Sequence, residues 1–151
     1  METKYLTAGA GWEPLDTPVG RLGVMVCLES IYPDIGRALT SAGAELLLVM
    51  SNDAGFGESL VTHHMTNRAV VRAVENGRWL LRAGQAGVST LVDPRGRIHG
   101  RLGLFETGLL TGTARLRSDE TLYVRWGDWW MGLVGGVLLL AFAASVRRLN
   151  A

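Results

Sequence analysis

One stretch constrains this chain more than any other: Leu22-Gly23-Val24-Met25-Val26-Cys27-Leu28-Glu29-Ser30, an apolar, β-branched run that ends on a thiol. A short continuous apolar run bounded by glycine reads as a buried strand of a parallel sheet. In open α/β sheets, ligands bind in the crevice beyond the carboxyl ends of such strands. Cys27, the chain's single cysteine, therefore stands where a nucleophile would. The plainer reading is a packed apolar side chain, since free cysteine is among the residues most often found inside. The residues around it favour the first reading.

After Ser30, Pro33 and Asp34 open a helix that runs to about Ala42, with Gly43 as its stop. Residues 45–51 form the next buried strand. Strand, helix, strand implies parallel pairing through a right-handed crossover, and hence an α/β sheet. Asn52-Asp53-Ala54-Gly55-Phe56-Gly57 is then a glycine-punctuated loop at the same sheet edge as Cys27, where Asn52, Asp53 and Phe56 can wall a pocket. By residue type, Asn52 and Asp53 also suit turns that bond their own backbone. A helix from Val61 to Asn76 places Val61, Met65, Ala69 and Ala73 on one buried face and stops at Gly77. Residues 79–83 and 88–92 read as further strands, Asp93-Pro94-Arg95-Gly96 as a turn, and 98–104 and 107–113 as strand-like segments. The second half thus reads as antiparallel hairpins beside the first sheet. Residues 9–20, with Pro14 and Pro18, read as a turn-rich extended edge.

Composition removes several classes of function. Fifteen basic and fourteen acidic residues give a net charge of +1, with no basic stripe for nucleic acid. One cysteine and three histidines without ligand spacing give no disulfide framework and no metal site, and no cofactor motif is present. Residues 1–5 are polar and do not read as a signal peptide. The run from Trp129 to Val146 is uncharged, long enough to cross most of a ~30 Å hydrocarbon core, and flanked by Trp126, Trp129 and Trp130 at one end and Arg147-Arg148 at the other. It reads as one transmembrane helix, with a buried core helix as the alternative. The expected division is one partial α/β domain over 1–125 and a transmembrane helix with a short basic tail over 126–151.

Residues 23–29 together with Leu48-Val49-Met50-Ser51-Asn52-Asp53-Ala54-Gly55-Phe56-Gly57 resemble the nucleophile strand and the following loop of the nitrilase, or carbon-nitrogen hydrolase, superfamily. The resemblance is nearest to its membrane branch, the apolipoprotein N-acyltransferases. It continues through residues 67–78, Leu81-Arg82-Ala83, Gly87-Val88-Ser89 and Asp93-Pro94-Arg95-Gly96, and covers nearly the whole chain in order. It implies part of an αββα sandwich followed by the membrane helix. It also implies a bacterial inner-membrane location, with the catalytic side facing the periplasm.

By that resemblance Cys27 accepts an acyl chain from a phospholipid as a thioester and passes it to the N-terminal amine of an apolipoprotein. Splitting acyl transfer in this way replaces one difficult step with two easier ones. The backbone N–H of Leu28 is a candidate oxyanion donor, and Glu29 carries over as an active-site acid whose alternative role is to pair with Arg68 or Arg72. Leu28 stands where the acyltransferases usually have tyrosine, and Gly55 where they usually have tryptophan. The superfamily's glutamate base and lysine, both upstream of the cysteine, have no counterpart among residues 1–26. The expectation is therefore the C-terminal part of a longer enzyme. His63 and His64 offer an unproven Cys–His pair. Two other readings stand beside this one: a nitrilase-type amidase with water as acceptor, and a membrane-anchored remnant that catalyses nothing.

Overall fold

The computed structural model describes residues 9–149, apart from the side chains of 143–145 and 147–149; Glu2, Lys4 and the rest of the polar N-terminus lie outside the described residues. In chain order it contains β1 (Leu15–Thr17), β2 (Gly20–Val26), a 3-10 turn (Cys27–Ile31), α1 (Pro33–Ser41) and β3 (Leu46–Asn52). There follow a second 3-10 turn (Ala54–Phe56), α2 (Leu60–Asn76), β4 (Leu80–Gln85), β5 (Ser89–Val92), β6 (Ile98–Leu102), α3 (Leu122–Trp126) and α4 (Trp129–Leu149). The strands form one six-stranded sheet in sequence order. β2, β3 and β4 are parallel, with Val26 opposite Met50 and Asn52 opposite Gln85. β1 joins β2 antiparallel, and β5 and β6 continue from β4 as antiparallel hairpins. The expected α/β class, with hairpins in its second half, is what the chain forms.

Strand alternation decides where the core lies. Met25, Leu47, Val49 and Leu80 point to one face and meet Ile35 and Leu39 of α1 and Ala69 and Ala73 of α2. A Cβ at Gly23 would lie 2.8 Å from the Leu47 Cδ2 and 2.9 Å from the Ala44 Cβ, so only glycine lets α1 settle this close to the sheet. α2 ends where expected, at Gly77 in the left-handed conformation (φ +62°). Its first turn departs from the expected stripe: Val61 is exposed, while the neighbouring Thr62 turns inward and donates its hydroxyl to the Gly57 carbonyl at 3.2 Å.

The other face of the sheet is only partly covered. Residues 107–113 do not form the expected strand, and β6 ends at Leu102 rather than at 104. This segment instead runs as an irregular strap, with Leu110 over Gly100, Gly112 against Leu91 and Leu116 against Gly20. Glycines bring the strap into van der Waals contact with the sheet without the ladder of hydrogen bonds that would make it a strand. An apolar cleft of about 610 Å³ remains between them, lined by Leu48, Met50, Leu81, Leu91, Leu102 and Leu110 among others. Among the described residues there is one sheet, so of the expected αββα sandwich the chain supplies a sheet with its helices on one side.

α3 was not expected from the sequence. Its N-cap Thr121 accepts the Val124 N–H at 3.1 Å, and the Thr121 hydroxyl donates to the Glu75 carbonyl at the end of α2. From α1, the Arg37 Nε donates to the carbonyls of Tyr123 and Val124 at 3.2 and 3.0 Å. The expected boundary at 125/126 falls inside this helix.

The C-terminal run is helical over 21 residues, and Leu133, Leu138, Leu139, Leu140 and Phe142 are exposed along it. Among the described residues, however, no helix is long and apolar enough to cross a membrane. The expected helix forms, and its expected role as a membrane span is not supported by the described residues.

Candidate active site

β2 carries its apolar alternation to Val26, and the chain then turns sharply. Cys27 opens the 3-10 turn with φ +54°, a left-handed conformation that costs a residue with a Cβ roughly 1–2 kcal/mol. Three contacts hold it there. The Glu29 Oε2 accepts the Val26 N–H at 2.6 Å, the fully buried Ser30 donates its hydroxyl to the Cys27 carbonyl at 3.0 Å, and the Tyr32 N–H closes on the Glu29 carbonyl at 3.1 Å. The turn packs against β3 and α2, which leaves Cys27 half-buried at the carboxyl edge of the parallel strands. Val26, Leu28 and Met50 form a half-exposed apolar rim beside it, Val26 and Met50 being paired across the ladder.

Glu29 thus reaches the backbone before the thiol. Neither Arg68 nor Arg72 is its partner; Arg72 pairs with Glu75 at 2.8 Å.

The loop after β3 emerges at the same edge and divides its residues between two tasks. Asn52 is exposed, bonds the Ala54 N–H through its own Oδ1 at 3.1 Å, and lines an open cleft of about 480 Å³ with Met50, Ser51, Gln85 and Ser89. Asp53 is 1% exposed and is not among the residues lining that cleft. Its carboxylate accepts the Ser51 hydroxyl at 2.5 Å and pairs with the Arg82 guanidinium, both side chains being fully buried. Its N–H continues the sheet to the Gln85 carbonyl at 2.9 Å. Phe56 is half-buried and donates its N–H to the Asp53 carbonyl at 2.9 Å. A Cβ at Gly87 would fall 1.9 Å from the Asp53 Oδ2, so Gly87 is what admits this carboxylate.

Cys27, Leu28, Glu29, Asn52, Asp53 and Phe56 therefore share one sheet edge, with both carboxylates committed to internal contacts. His63 and His64 are exposed on the first turns of α2. The partnership of Arg82 with Asp53 was not specified by the sequence reading. Its signal is the period of two in β4, where Leu80, Arg82 and Gly84 face the helices and an inward arginine requires an acid. Among the described residues no group of three or more His, Cys, Asp or Glu side chains is gathered to hold a metal.

Comparison with known proteins places this geometry. A family model described as carbon-nitrogen hydrolase matches residues 1–120. The chain belongs to the carbon-nitrogen hydrolase family. The chain is 40% identical over 144 residues to the apolipoprotein N-acyltransferase of Geobacter metallireducens, covering 94% of this chain and 28% of that one. The chain spans about a quarter of the length of the curated relatives it matches. Among solved structures, it is similar to an amidase from Nesterenkonia sp., with a TM-score of 0.59 and 29% identity over 80% of this chain and 46% of that chain. A variant of the Nesterenkonia sp. AN1 amidase, 27% identical at a TM-score of 0.53 over 68% of this chain and 42% of that one, carries acrylamide added at its active-site cysteine.

Proposed function

We propose that Cys27 is the acyl-accepting nucleophile of an acyltransferase of the apolipoprotein N-acyltransferase kind, and that this chain is the nucleophile-bearing part of its catalytic domain. The observation that carries the reading is the turn: a half-buried thiol in a strained left-handed conformation at the carboxyl edge of a parallel sheet, held by Glu29 and Ser30. Backbone strain of this kind concentrates where a side chain must be presented in one geometry.

In the first half-reaction the Cys27 Sγ attacks the ester carbonyl of a phospholipid. The C–O bond to glycerol breaks, the lysophospholipid leaves with a proton, and a thioester remains. In the second, the N-terminal amine of an apolipoprotein attacks that thioester; an amide forms, the C–S bond breaks and the thiol is restored. The Leu28 N–H serves the oxyanion of both steps. Glu29, with its carboxylate on the Val26 N–H, is a positioning residue for the turn. Asn52 and Phe56 border the approach to the thiol, and Asp53 holds their loop through Arg82. The glutamate base and the lysine implied by the resemblance are assigned to a further segment, consistent with the quarter of the relatives' length that this chain spans. α4, with Trp126 and Trp129 stacked edge-to-face at 6.0 Å, anchors the domain at the bacterial inner membrane, the catalytic side facing the periplasm.

Similarity to the amidases favours a second reading, in which water takes the acyl group and a C–N bond is hydrolysed. Intact mass of the detergent-solubilised chain after incubation with phospholipid separates the two. The acyltransferase reading expects an acyl-sized increase, lost with hydroxylamine and absent from Cys27→Ala. A folded chain that gains no adduct even when joined to the upstream segment of a related acyltransferase, which brings the base and lysine, overturns it.

A further inference from the structure

At the sheet edge opposite Cys27 lies a third cleft, of about 440 Å³, that the proposed chemistry does not use. Trp79 immediately precedes β4, Asp93 immediately follows β5 and His99 lies on β6, so the cleft sits where the parallel strand β4 begins. Its floor is rigid. The Trp79 and His99 rings contact at 4.9 Å between centroids with a 45° tilt, and the His99 Nε2 lies 2.9 Å from the Asp93 Oδ2. The Asp93 Oδ1 accepts the N–H groups of Arg95 and Arg97 at 2.8 and 3.0 Å, so its charge is spent within the turn.

The walls are cationic. Arg95, Arg115 and Arg117 line the cleft with the Thr113 hydroxyl. Arg117 is paired with Asp119 at 2.6 and 2.9 Å, whereas Arg95 and Arg115 have no acidic partner among the described residues. Two unpaired guanidiniums facing one cavity raise the local concentration of anions, and their planar forks match the oxygens of a phosphate. An aromatic floor gives a small organic group attached to that phosphate a surface to lie on.

We propose that this cleft binds a phosphate group, gripped between Arg95 and Arg115 over the Trp79–His99 floor, of the type borne by a glycerophospholipid headgroup or a soluble phosphate ester. The site is independent of the reading of Cys27, which lies at the far edge of the sheet.

The test is calorimetric titration of the full chain in non-ionic detergent, in phosphate-free buffer, with glycerol 3-phosphate. Saturable binding is expected, weakened roughly tenfold by Arg115→Ala through loss of a charge-assisted pair, and unchanged by Arg125→Ala, which lies outside the cleft. Both arginines are exposed, so neither substitution threatens the fold. Displacement by phosphatidylglycerol in the micelles assigns the site to lipid, and displacement by inorganic phosphate alone assigns it to soluble phosphate; either supports the proposal. No saturable binding, or binding that Arg115→Ala leaves unchanged, overturns it.

Discussion

At the scale of the residue, Cys27 and Asp53 show how differently two site positions are held. Cys27 sits in a conformation that glycine adopts freely, so a side chain is held there at a cost in stability. Cys27→Gly is expected to be more stable than Cys27→Ala by about 1 kcal/mol in urea unfolding, although both abolish thiol chemistry. Asp53 is the reverse case. Arg82 is fully buried, its Nε and Nη1 make no hydrogen bond among the described residues, and Asp53 is its acidic partner. Asp53→Ala strands that charge and is expected to cost about 3–5 kcal/mol, while replacing both by apolar residues of similar volume costs less. The same denaturation measurement, made on the double variant, checks the comparison. The place of Cys27 at the end of a parallel strand was legible because a thiol closing an apolar run is conspicuous in one dimension. The burial of Asp53 was not, since its partner lies 29 positions away and only the pairing of β3 with β4 brings them together.

At the scale of the element, punctuation in the sequence marked boundaries well. Pro33, Gly77 and Asp93-Pro94-Arg95-Gly96 act within their own turn, and the structure ends or opens elements at each. Residues 107–113 have strand-like composition, yet they cross the face of the sheet, with Leu110 over Gly100 and Gly112 against Leu91, instead of pairing with the free edge of β6; pairing is a long-range property. The strap's amides are therefore expected to exchange with solvent orders of magnitude faster than those of β3 and β4, as hydrogen-exchange mass spectrometry would register. α3 was missed because a five-residue helix has little periodicity and exists through Thr121 and Arg37. The turn after β5 carries a pH dependence. Burial pushes the Asp93 carboxyl up, but the hydrogen bonds from His99, Arg97 and Arg95 outweigh it and hold the pKa at about 2. Between about pH 4 and pH 2 the unfolded chain takes up a proton that the folded chain refuses. Stability from Asp93 is thus complete above about pH 4 and is lost as pH falls through about 2. Asp93→Asn is expected to flatten this part of the stability profile in acid titrations followed by circular dichroism.

At the scale of the whole molecule, apolar surface is left on two sides. The sheet is covered by helices on one face and by a strap over a cleft on the other, and α4 exposes most of its described apolar side chains. Patches of this extent mark contact with other chains or with lipid. The detergent-free chain is expected to self-associate with rising concentration in analytical centrifugation and to return to monomer on addition of non-ionic detergent.

The grip of Arg37 on α3 also has a mechanical side. Tyr32 ends the turn that begins at Cys27 and is at once the N-cap of α1. α1 in turn holds two carbonyls of α3, and Gly127 and Asp128 alone separate α3 from α4. A pull along α4 is consequently not absorbed by slack chain. Its path to the turn that carries Cys27 runs through two short helices, α3 and α1.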